Sequence, residues 1–261
     1  MPLMTYEEYA KIEYEHEIPY TFILNYDPNY LFYFGEEHSY DPSDKQWAIE
    51  NNFWLEFIKK TDEHKRIVFV EGGIRPVETT EEESIRKYGG MGFVTYLASK
   101  NSIDTYSPEP NQKEQRVVLE KSFSKKEIQY YFFARQIPQW HRHQNPKLDF
   151  EKYINVYLEG QRKSSGWVDF DFSLDSMKKI HKEIFETNFN QDDVEFFSSI
   201  TTPVELRTVV NKVARSCSNI RNVHIVSEIQ KYLNNGYSVY VQYGCTHAIM
   251  QEPLLRELIK A

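Results

Sequence analysis

Four short runs are apolar almost without interruption: Leu31 to Phe34, Ile67 to Val70, Ile103 to Tyr106 and Val239 to Tyr243. A strand with one face in water alternates polar and apolar residues. A continuous run instead suits a strand covered on both faces, as in a parallel sheet with helices on each side. Segments between the runs have helical spacing. Gln46 to Lys60 carries Trp47, Phe53, Trp54, Phe57 and Ile58, and Glu81 to Lys100 carries Ile85, Tyr88, Phe93 and Leu97. Strand alternating with helix predicts an α/β fold, a mainly parallel sheet flanked by helices.

From Ser124 to Val213 the strand signals fade and apolar residues recur at three and four, as in Ile128, Tyr131 and Phe132, then Leu174, Met177 and Ile180. This stretch reads as a helical excursion. Its aromatic segment Tyr130 to Arg135 is read as packing before it is read as a pocket lining. The chain then returns to the sheet through a helix from Asn222 to Asn235 ending near Gly236, the strand through Tyr243, and a last helix from Glu252 to Ile259. The expectation is a single α/β domain over 1–261. Its core sheet and helices lie in 31–122 and 215–261, and 124–213 forms a helical insertion or lid.

Charge narrows the partners. Thirty-one basic against 39 acidic residues leave a net charge of −8, so no positive field gathers a phosphate backbone and nucleic acid is not an expected partner. No apolar run approaches the ~18 residues of a membrane span. Two cysteines, Cys217 and Cys245, are too few for a disulfide framework, and the first residues have neither a basic start nor an apolar stretch. A cytoplasmic protein acting on a small-molecule or peptide substrate is the expectation.

In an open parallel sheet, ligands bind beyond the carboxyl ends of the strands. After the first run comes Gly35-Glu36-Glu37-His38, after the second Glu71-Gly72-Gly73, after the third Ser107-Pro108-Glu109-Pro110, and after the fourth Gly244-Cys245-Thr246-His247. Each is weak alone, but glycine followed three residues later by histidine after two strands most of a chain apart points to one shared site. Glycine lets the backbone turn sharply as it leaves the strand. Neutral imidazole serves as proton acceptor or metal ligand. His38, Glu71 and His247 would make a His2Glu set for a catalytic divalent metal such as Zn, Mn or Co. Without metal, one histidine would be the general base, with Glu71 holding its tautomer. Arg221, placed at the start of the helix feeding the last strand, would steady an oxyanion or clamp an anionic group, or else form a surface ion pair.

Gly35-x-x-His38, Glu71-Gly72, Tyr106-Ser107-Pro108-Glu109-Pro110, Arg221-Asn222 and Gly244-x-x-His247 together resemble the superfamily of TraB/PrgY, Tiki, ChaN-like and erythromycin-esterase proteins. The likeness runs from about residue 31 to 122 and from 215 to 257. It implies an α/β core gathering His38, Glu71 and His247 as the catalytic or metal-binding set, with Glu109 and Arg221 as supporting polar positions. It also implies hydrolysis of an ester or amide by activated water, or the binding of haem, a metal or a small ligand in the ChaN-like manner without catalysis.

Other features are given simpler readings. His141-Arg142-His143 reads as a solvated loop, Glu114 to Glu127 as solvated helix faces, and Asp41 and Asp44 as caps of the helix starting near Gln46. Of Glu36 and Glu37, one is expected to face solvent and the other to orient a group. Cys245 and His247 are too close in sequence to pair usefully. His16, His64, His181 and His224 are assigned no chemistry.

Overall fold

The computed structural model describes residues 3–12, 15–142 and 148–260. These divide into two compact units, 1–109 with 221–261, and 110–220. The excursion expected over 124–213 falls inside the second.

The first unit opens with α1 (Tyr6–Ile12), β1 (Tyr20–Tyr26) and β2 (Asn29–Glu36). Then follow α2 (Gln46–Lys60), β3 (Arg66–Val70), α3 (Glu81–Lys100) and β4 (Thr105–Tyr106). In the second unit lie α4 (Gln112–Leu119), α5 (Lys125–Ala134), α6 (Gln136–Arg142), α7 (Phe150–Ser165), α8 (Leu174–Phe185) and α9 (Val194–Thr201). The long α10 (Val209–Asn234) begins in the second unit and ends in the first, followed by β5 (Ser238–Gly244) and α11 (Cys245–Lys260). Among the described residues, five strands form one sheet in the order β1-β2-β5-β3-β4. Only the β1–β2 pair is antiparallel. The fold is α/β, as the continuous apolar runs require.

Period-two geometry sends alternate residues of each strand into two different cores. Leu31, Tyr33, Ile67, Phe69, Val239 and Val241 pack against Ile225, Val226 and Ile229 of α10 and Ala248 and Leu255 of α11. On the opposite face, Phe32, Phe34, Val68, Val70 and Tyr240 pack against Trp54 and Phe57 of α2 and Phe93 and Val94 of α3. Neither face of the three central strands is left to water, so no alternation survives in them. The second unit has its own all-helical core around Tyr130, Phe133, Ile154, Met177 and Phe197, which is where the aromatic stripe of α5 goes.

Several expectations change. β1 carries no continuous apolar run, because it lies at the sheet edge and buries only Phe22 and Leu24. β4 is shorter than Ile103 to Tyr106: Asp104 still gives its carbonyl to Val68, but only Thr105 and Tyr106 pair. α10 begins thirteen residues before Asn222, so Arg221 sits mid-helix rather than at a helix start. Ser218-Asn219 looks like a cap but is absorbed into the helix. α11 begins at Cys245, not Glu252. Pro253 suggests a first helical position, where proline is favoured, yet it lies inside the helix. α3 spans the expected residues but is kinked at Gly89, which adopts φ 61° and ψ −145°. Asp44 does accept from the Gln46 amide at 3.0 Å, whereas Asp41 bonds Ser43. His141 and Arg142 close α6 instead of lying in a loop, while His143 lies outside the described residues. Among the described residues, no helix is long and apolar enough to cross a membrane.

Candidate functional site at the carboxyl edge of the sheet

The parallel strands β2, β5, β3 and β4 end at one edge. In register, Glu36 lies opposite Gly244 and Val70 opposite Gln242, so the residues that follow emerge side by side. Glu71 leaves β3 directly. Its Oε2 accepts the Gly244 amide at 2.9 Å, tying the ends of β3 and β5 together. Glu109, three residues beyond β4, accepts the Gly72 amide at 3.1 Å, while Ser107 Oγ accepts the Gly73 amide at 2.9 Å. Gly72 and Gly73 have φ of 69° and 109°, a backbone that glycine adopts without steric cost.

Arg221 occupies the centre. Its Nε and Nη2 donate to Glu109 Oε2 and Oε1 at 2.9 and 2.8 Å, a bidentate clamp. Nη2 also reaches Glu71 Oε1 at 3.1 Å, and Nη1 lies 3.4 Å from His247 Nε2. Its place mid-helix on α10 gives a rigid base to a side chain that the sequence placed at a helix terminus.

His247 projects from the first turn of α11. Its Nδ1 is 2.6 Å from Asn222 Oδ1, which also accepts from Gln251 Nε2 at 2.9 Å. Gln251 Oε1 in turn accepts from the buried Tyr33 hydroxyl at 3.0 Å. An atom accepting from an amide nitrogen is an oxygen, so Nδ1 of His247 carries the proton and Nε2 carries the lone pair. Nε2 lies 3.6 Å from Glu71 Oε1. Burial drives the His247 pKa down to about 4, Glu71 opposes that shift, and Arg221 reinforces it, so the ring is neutral at pH 7. Burial acts to raise the Glu71 pKa, but His247, Arg221, His38 and the Gly244 amide outweigh it and hold the carboxyl well below its ordinary range. Glu109 is likewise lowered, Arg221 overcoming the penalty of burial.

His38 stands on the loop after β2, its side chain 47% exposed. Its Nδ1 is 2.7 Å from Oε1 of Glu36, the last residue of β2, which is almost wholly buried. Glu37 faces solvent, so Glu36 is the orienting partner. Burial raises the Glu36 pKa, with His38 the leading opposing influence. The missing side chain of Gly90 in α3 leaves room for this carboxylate: a Cβ there would come within 1.8 Å of Glu36 Oε2. His38 Nε2 and Glu71 Oε2 both border Gly244, at 3.4 and 3.6 Å from where its Cβ would be.

All five residues expected at the site, His38, Glu71, Glu109, Arg221 and His247, therefore meet at this edge. Sequence reasoning missed the roles of Asn222 and Gln251. His247 and Gln251 are four apart on one helix face, a signal hidden by starting α11 too late. Gln242, buried beside Glu36, follows the alternation of β5 but gives no sign of its role in a run so largely apolar.

A divalent metal fits the set poorly. Glu71 Oε1 and His247 Nε2 both face the Arg221 guanidinium, and Glu71 Oε2 accepts a backbone amide. A metal between Glu71 and His247 would have to displace one cation with another. Among the described residues, no group of three or more His, Cys, Asp or Glu side chains is arranged to hold a metal ion. The chain matches no family model, no curated protein and no solved structure.

Proposed function

We propose that this chain is a hydrolase of an ester or amide bond, of the TraB, Tiki, ChaN-like and erythromycin-esterase kind, in which His38 is the general base acting on water. The observation that carries this reading is the 2.7 Å contact between a half-exposed imidazole and a buried carboxylate. Glu36 accepts the Nδ1 proton, which leaves the lone pair on Nε2, and it stabilises the imidazolium formed when Nε2 takes a proton from water. The resulting hydroxide attacks the carbonyl carbon. The imidazolium then returns its proton to the leaving alcohol or amine, and the products are an acid and that alcohol or amine.

Arg221 supplies the positive charge facing the oxyanion that develops on the carbonyl oxygen. Glu71 and Glu109 fix its plane, and neutral His247, held by Asn222, offers a second imidazole at the same edge.

The test is turnover of a panel of chromogenic esters and peptide amides. His38→Ala and Glu36→Gln are expected to lower kcat by about 10²–10⁴, measured on protein that still unfolds cooperatively. Equal turnover by parent and His38→Ala overturns the reading. So does a haemin Soret shift that depends on His38 in a protein that turns over no member of the panel.

A further inference from the structure

The second unit buries a cation that, among the described residues, has no carboxylate within salt-bridge distance, although the Glu120 charge acts on it. Arg116 of α4 is 1% exposed. One nitrogen, Nη2, donates to Gln129 Oε1 of α5 at 3.0 Å and to Gln161 Oε1 of α7. The guanidinium lies between two aromatic faces, its carbon 4.7 Å from the Phe132 ring centre and 4.5 Å from that of Trp167. Those faces favour the charge from above and below but offer nothing to the N–H groups in its plane. Nε and Nη1 of Arg116 and Nε2 of Gln129 are all buried without a hydrogen-bond partner among the described residues.

The three orphaned atoms share two properties. They are all donors, and they belong to two side chains already joined by a hydrogen bond. The nearby acceptors are engaged elsewhere or by Nη2: Gln129 Oε1 and Gln161 Oε1 each accept from Arg116 Nη2, and Glu120 Oε1 accepts the Trp167 indole N–H at 2.7 Å. Lys125 adds positive charge, its Nζ 5.6 Å from the Trp167 ring centre. Burial lowers the Arg116 pKa only to about 10, so the group stays charged at neutral pH. A water would satisfy some donors, yet it would bring two further hydrogens with few acceptors to receive them.

We propose that the second unit holds a small monovalent anion, of halide character, against Arg116 and Gln129. The stacked rings leave only an in-plane approach, and near-complete burial favours an ion that sheds its water easily over a strongly hydrated multivalent oxyanion. The inference is independent of the chemistry proposed for the first unit.

Bromide is the probe. Thermal unfolding of the full chain is compared in sodium bromide and sodium gluconate at equal ionic strength, for the parent and for Arg116→Met. A bound ion at 100 times its Kd raises the folding constant about 100-fold. The parent is therefore expected to gain a bromide-dependent rise in midpoint that Arg116→Met lacks. Equal midpoints of the parent in both salts, or a rise kept by the variant, overturn the proposal. Should Arg116→Met fail to fold, crystals of the parent grown in bromide decide the matter. An anomalous peak at hydrogen-bonding distance from Arg116 supports the site, and its absence there overturns it.

Discussion

At the level of single residues, the two histidines of the site are built alike and buried unlike. Each presents Nδ1 to an oxygen, Glu36 for His38 and Asn222 for His247, so each keeps its lone pair on Nε2. His38 is half exposed, whereas His247 ends a buried chain through Asn222, Gln251 and Tyr33. Removing the acceptor from that chain leaves His247 Nδ1 and Gln251 Nε2 without a partner in a dry environment. Asn222→Ala is therefore expected to cost about 1–3 kcal/mol in urea unfolding, while His38→Asn, whose side-chain N–H can still reach the buried Glu36 carboxylate, changes stability by no more than about 0.5 kcal/mol. Equal losses for the two variants would contradict the division between a working imidazole and a buried, framework-held one. The charged stretch Glu114 to Glu127 teaches the converse lesson. Its composition suggested solvated faces, yet Arg116 is buried, because α4 turns that residue toward Phe132 and Trp167.

At the level of elements, closeness between backbones matters more than propensity. Gly35 near the end of β2 lies against α11: an added Cβ would come within 2.8 Å of Ala248 Cβ and 2.9 Å of the Tyr20 carbonyl. Gly35→Ala is expected to cost about 1–3 kcal/mol by overpacking and to lower turnover by shifting the His38 loop. Gly160, exposed inside α7 with nothing near its missing Cβ, is the control. Gly160→Ala is expected to add about 0.5–1 kcal/mol, read from the urea midpoint with turnover unchanged. A parent-like Gly35→Ala would show that β2 and α11 can separate at no cost. The same reasoning separates what the sequence made legible from what it hid. The central strands announced themselves because both faces are covered, and their order brought His38, Glu71, Glu109 and His247 to one edge. The edge strand β1, the early starts of α10 and α11, and the kink of α3 were hidden. Each depends on a tertiary neighbour, and Ser218, Pro253 and Gly89 have local signals that point elsewhere or nowhere.

For the molecule as a whole, the site makes stability depend on pH in a window that can be assigned. His247 titrates near 4 when folded against about 6.5 when solvated. Between those values the unfolded chain binds the extra proton, so its contribution is fully present above about pH 6.5 and is lost as the pH falls toward 4. Glu71 and Glu109 act in the same sense at lower pH, since their folded values are depressed. Glu36 and Glu50 act in the opposite sense, because burial raises both, and their protonated forms favour the folded chain as the pH falls. The raw profile of the parent therefore mixes opposing slopes. A comparison with His247→Asn isolates one of them, since asparagine still offers an N–H to Asn222 but takes up no proton. From about pH 7.5 to about pH 4.5 the parent is expected to lose about 2–3 kcal/mol more than the variant, read from urea unfolding at each pH. Parallel profiles for the two proteins would mean that His247 is solvated in the folded chain, and the buried contacts assigned to Asn222 and Arg221 would fall with that result.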